Sequence, residues 1–97
     1  MFIACEEAKQ LVKNKNAQLV DVRTPEEYEA SKIPEATNLP LQELDRLAAQ
    51  LDKSRPVVVF CRSGQRSQMA MQMLLSMGFA EVYNLGPYMA WHQCPDA

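Results

Sequence analysis

Four large apolar residues in a row, Val57-Val58-Val59-Phe60, run into the polar stretch Cys61-Arg62-Ser63-Gly64-Gln65-Arg66-Ser67, and this junction constrains the fold more than any other feature. A short, unalternating β-rich run predicts a strand buried on both faces, as in a parallel sheet. After the polar loop, Ser67 opens an apolar run with helical spacing: Met69, Met73, Leu74 and Met77. Strand, tight loop and helix start, in that order, build a pocket lined by backbone N–H groups. A cysteine at its mouth faces a helix dipole and the cations Arg62 and Arg66, all of which favour thiolate over thiol.

A free cysteine titrates at about 8.5, and surroundings of this kind lower that to roughly 3.5–7.5. Gly64 lets the backbone turn inward where a Cβ would obstruct it. The loop amides between Arg62 and Ser67 are then placed to hold an anionic group attached to, or attacked by, the sulfur. A lone cysteine at a strand end is most often simply buried. The glycine, the two arginines and the helix start set Cys61 apart from that case.

The segment Cys61–Ser67 resembles the active-site loop of the rhodanese family of sulfurtransferases. Asp21-Val22-Arg23-Thr24-Pro25-Glu26-Glu27-Tyr28 and Ile33-Pro34-Glu35-Ala36-Thr37-Asn38-Leu39-Pro40 resemble that family's two other signature segments, in matching order and separation. The resemblance implies one rhodanese-like domain over residues 1–97, a three-layer α/β/α fold with a small, mainly parallel sheet of four to five strands. It implies transfer of sulfane sulfur from a donor such as thiosulfate or a persulfide to a thiophilic acceptor, cyanide or a thiol, through a Cys61 persulfide. Cys61 is then the catalytic residue, with Arg62, Ser63, Gly64, Gln65, Arg66 and Ser67 binding substrate. Asp21 and Arg23, at the end of a predicted strand, read as a structural ion pair that supports the site. No metal and no cofactor is called for. The partners implied are a small sulfur donor and acceptor, with a protein thiol such as that of a thioredoxin-like protein among the acceptors.

Two departures stand out. Lys32-Ile33-Pro34-Glu35-Ala36 lies where the family usually has His-Ile-Pro-Gly-Ala, a structural turn. Gly86-Pro87 lies where two glycines usually precede the tryptophan, here Trp91, and the run is one residue short. Two competing readings follow from the same loop. Dual-specificity phosphatases of this fold carry Cys-x5-Arg, but here Arg66 is the fifth residue after Cys61 and Ser67 the sixth, a loop better fitted to a sulfur-sized group. A persulfide carrier or docking module without turnover of its own is the non-catalytic alternative.

The remaining chain supports the same architecture. Glu6 to Val12 predicts a first helix, ended by Asn14-Lys15-Asn16, and Gln18–Val22 a strand. Thr24, Pro25 and Glu27 form a capping-box pattern for a second helix. Ala36–Leu39 is a short edge strand stopped by Pro40, and Leu41, Leu44, Leu47, Ala48 and Leu51 place a helix over 41–51. In the helix after Cys61, Met69, Met73 and Met77 are expected in the core and Met71 at the surface, with a stop at Gly78. Glu81–Leu85 is the last strand. In such sheets ligands bind beyond the carboxyl ends of the strands, where Asp21, Arg23, Cys61 and Gly86 all fall.

The 97 residues suffice for one compact domain, and a net charge of −2 gives no reason to expect nucleic acid. No apolar run approaches the ~20 residues of a membrane span, and the first residues lack a signal-peptide pattern, so the expectation is a cytoplasmic protein with no membrane partner. Cys5, Cys61 and Cys94 are an odd number, widely spaced, with no CxxC pair, which argues against a disulfide framework and a zinc site alike. Cys5 and Cys94 are expected to be incidental, and His92 a surface residue near a frayed end.

Overall fold

Strand β3, Val57–Cys61, is buried at all five positions because it has a parallel neighbour on each side and helices over both faces. The computed structural model describes residues 2–94. Met1 and residues 95–97, the two ends of the domain expected over 1–97, lie outside the described residues. The elements run α1 (Cys5–Lys15), β1 (Gln18–Asp21), α2 (Pro25–Ala30), β2 (Thr37–Asn38), α3 (Leu44–Leu47), β3, α4 (Gln65–Ser76), β4 (Val82–Pro87) and α5 (Met89–His92). The sheet has four strands, all parallel, in the order β2-β1-β3-β4.

Side chains alternate across a strand, and β3 feeds two cores. Val57, Val59 and Cys61 pack with Val20, Leu44, Ala70 and Leu74 beneath α3 and α4. Val58 and Phe60 pack with Ala8, Leu19, Leu85 and Trp91 beneath α1 and α5. The three-layer arrangement is therefore the one expected. The capping box at Thr24 is also in place: its hydroxyl accepts from the Glu27 N–H at 3.2 Å, and Glu27 Oε1 accepts from the Thr24 N–H at 3.0 Å.

Three expectations are corrected. The segment 41–51 is not one helix: α3 is flanked by 3-10 turns at Leu41–Glu43 and Ala48–Gln50. The Leu41 N–H is tied to the Val22 carbonyl at 3.1 Å, and Glu43 leaves helical geometry at φ −116, ψ 6, so helical spacing survives without a continuous helix. Helix α4 begins at Gln65, two residues before Ser67, with Gly64 as its N-cap. Its buried face is Ser67, Ala70 and Leu74. That phase sends Met69 outward, 58% exposed, while Met71, Met73 and Met77 rest against the core.

The third correction concerns Cys5 and Cys94. The two form a disulfide, with Cα atoms 6.0 Å apart and a sequence separation of 89. Among the described residues Cys61 is the free cysteine. Helices α1 and α5 cover the same face of the sheet and bring Cys5 and Cys94 together, a proximity that spacing along the sequence does not encode. Among the described residues no helix is long and apolar enough to cross a membrane.

Candidate active site

Cys61 ends β3, and its Sγ sits inside the turn that follows. The Gly64 N–H donates to it at 2.9 Å and the Ser67 N–H at 3.4 Å, with the Ser67 hydroxyl at 3.4 Å. Burial pushes the thiol up, but the Ser67 hydroxyl and the N–H groups of Ser67, Gly64 and Ser63 outweigh it. The net effect holds Cys61 below the ordinary range of a thiol. Gly64 makes the turn at φ +105, where an L side chain is strained, and a Cβ there would lie 2.3 Å from the Phe2 ring. Ser67 is the third residue of α4, so its N–H belongs to the unpaired first turn and is free to serve the sulfur.

The loop's two arginines part company. Arg66 turns to α2 and makes a two-pronged pair with Glu27, at 2.7 and 3.0 Å. The Arg66 guanidinium and the Thr24 N–H together hold the Glu27 carboxyl down at about 2. Arg62 is exposed and lines a shallow cleft of about 160 Å³ with Arg23, Glu27, Ala30, Ser31 and Tyr88. Ser63 and Gln65 are also exposed. Of the seven loop residues, the structure therefore gathers Cys61, Ser63, Gly64 and Ser67 around the sulfur, and sets Arg62 and Gln65 at the rim.

Asp21 and Arg23 form the ion pair read from the sequence. Both are buried, Arg23 Nε lies 3.0 Å from each Asp21 oxygen, and a terminal nitrogen lies 2.7 Å from Oδ2. The remaining guanidinium donors reach Ser31 Oγ at 3.0 Å and its carbonyl at 2.9 Å. The guanidinium also lies 4.3 Å from the Tyr88 ring centre, and the Tyr88 N–H donates to the Cys61 carbonyl at 2.7 Å. The pair thus braces the segment bonded to the cysteine. His92 is exposed at the end of α5.

Sequence reasoning missed Glu27 as the partner of Arg66, although the capping box had already marked it as placed. It also missed Phe2, whose ring packs on both Gly64 and Gly86, and the buried Asn84.

Residues 4–94 match the Rhodanese-like domain family. This chain belongs to that family. It is 38% identical, over 94% of its length and 89% of the relative's, to the thiosulfate sulfurtransferase GlpE of Coxiella burnetii. Its structure superposes with a TM-score of 0.78 on the human single-domain sulfurtransferase TSTD1, at 30% identity, covering 97% of this chain and 96% of that one. It also matches a rhodanese with anions from E. coli at 36% identity, with a TM-score of 0.70 over 76% of this chain and 89% of the other. The rhodanese-like chain is a sulfurtransferase.

Proposed function

We propose that this sulfurtransferase takes the outer sulfur of an anionic donor such as thiosulfate onto Cys61 and passes it to cyanide or a thiol. The Cys61 thiolate attacks the outer sulfur; the new S–S bond forms as the donor's S–S bond breaks, and sulfite leaves with the bonding pair. Charge balances, because thiolate and thiosulfate dianion give persulfide anion and sulfite dianion. In the second half, cyanide or an acceptor thiolate takes the terminal sulfur and Cys61 leaves as thiolate. Two separated halves imply ping-pong kinetics. The N–H groups of Ser63, Gly64 and Ser67 supply preorganised donors for the negative sulfur, and the exposed Arg62 attracts the anionic donor. A protein thiol, such as that of a thioredoxin-like protein, is a further acceptor in this reading.

The observation that carries this reading is the set of hydrogen bonds converging on Cys61 Sγ. A phosphatase reading is disfavoured because Arg66, the loop arginine nearest a clamping position, is engaged with Glu27. Intact-mass measurement after thiosulfate treatment tests the proposal. The wild type is expected to gain one sulfur atom, located on Cys61, that cyanide removes; Cys61→Ser is expected to gain none. A wild type that stays unloaded, or loads elsewhere, ends it.

A further inference from the structure

Asn84 is a buried polar side chain that the sulfur chemistry leaves without a role. It stands on β4 where the pairing with β3 slips: Val59 faces Asn84 and Phe60 faces Gly86, leaving Leu85 as the extra residue. Its side chain closes that bulge, with Oδ1 accepting from the Gly86 N–H at 2.8 Å. This donor fixes which end of the amide is oxygen. Nδ2 therefore points the other way, to the Gly64 carbonyl at 3.4 Å and to Gln68 Oε1 at 3.2 Å.

The Gly64 carbonyl also accepts the Gln68 N–H at 3.1 Å, so the Gly64–Gln65 peptide is gripped from two sides. A glycine at φ +105 has little preference of its own for one conformation, and such a turn needs an outside restraint. Gly64 is also the residue whose N–H makes the shortest bond to Cys61 Sγ, at 2.9 Å. The Phe2 ring covers Gly64 and Gly86, the two residues that Asn84 joins, and the Ile3 N–H caps the Asn84 carbonyl at 2.9 Å.

We infer that Asn84 is a positioning residue for the Cys61 cradle: its amide, anchored on the Gly86 N–H, holds the Gly64 carbonyl so that the Gly64 N–H stays aimed at the sulfur. The role this assigns to the cradle rests on the proposed persulfide chemistry, but the aim of the N–H is read without any sulfur donor. Alkylation of Cys61 by iodoacetamide, followed across pH in the disulfide-intact protein, reports the thiolate directly. Failure of thiosulfate loading therefore leaves this measurement untouched.

Two neutral variants carry the test. Asn84→Ala removes all three side-chain bonds, to Gly64, Gln68 and Gly86. Asn84→Ser keeps an oxygen near the Gly86 N–H but is too short to reach Gly64. Both are expected to move the alkylation profile to higher pH, with a rate about tenfold below wild type on the acidic side, one unit of pKa. Gln68→Ala, which leaves the Gly64 contact in place, is expected to keep the wild-type profile. If Asn84→Ala does not fold, Asn84→Ser decides alone. A folded Asn84→Ser with the wild-type profile, even with a lowered melting temperature, overturns the inference and leaves Asn84 a purely structural brace. A shifted profile in Gln68→Ala also overturns it, by giving the role to Gln68.

Discussion

Ser67 touches the sulfur twice, through its N–H and its hydroxyl, yet only the hydroxyl can be removed by substitution. Ser67→Ala takes away the largest of the influences that lower the Cys61 titration and leaves burial, which raises it, unopposed at that point. Such a hydrogen bond is worth about 1 kcal/mol. Alkylation below the titration point should therefore slow roughly fivefold, with the plateau reached at higher pH than in wild type. In the wild type the plateau should come at lower pH than for an ordinary thiol, since thiolate accumulates from a depressed value upward. Stopped-flow alkylation across pH checks both statements. The chemistry of this residue was legible in the sequence, because cysteine, glycine and a helix start in series leave few arrangements open. The aim of each N–H was not legible, because it depends on a turn held from β4.

Helices α2 and α4 meet through one ion pair, Glu27 with Arg66, on elements separated by two strands in the chain. The folded Glu27 titrates at about 2, against 4.5 unperturbed. A depressed carboxyl contributes stability that is fully present above its unfolded value and is lost as pH falls through the folded one. Wild type should therefore lose stability as pH drops from about 4.5 toward 2. The pair is partly exposed, at 34% for Arg66 and 28% for Glu27, so screening reduces its worth to about 1 kcal/mol. Glu27→Gln should be less stable at neutral pH by that amount and show a flatter acid limb in denaturant titrations at pH 7, 4 and 2.5. Sequence spacing foretold the capping box and the existence of each strand and crossover helix. It misjudged 41–51 and the methionines, because apolar spacing reports which residues face inward but not whether the backbone between them stays helical.

On the scale of the molecule, the disulfide between Cys5 and Cys94 joins the two ends of nearly the whole described chain. A cross-link closing so long a loop restricts the unfolded chain most, and removing one typically costs about 2–4 kcal/mol. Reduction, or the double variant Cys5→Ser with Cys94→Ser, should lower the melting temperature by roughly 10 °C or more in a domain of this size; an unchanged melting curve on reduction would contradict it. The sequence by itself determined the parallel sheet, its helical cover and the gathering of Asp21, Arg23 and Cys61 at one edge. Hydrophobic runs and turn residues act locally, and a parallel sheet leaves its carboxyl ends on one side. Only the tertiary structure decided that Cys5 and Cys94 are bonded, that Arg66 faces Glu27 rather than the sulfur, and that Asn84 grips the loop. Each of these depends on groups distant in the chain meeting at hydrogen-bond or covalent range, and that distance is set by packing across the sheet.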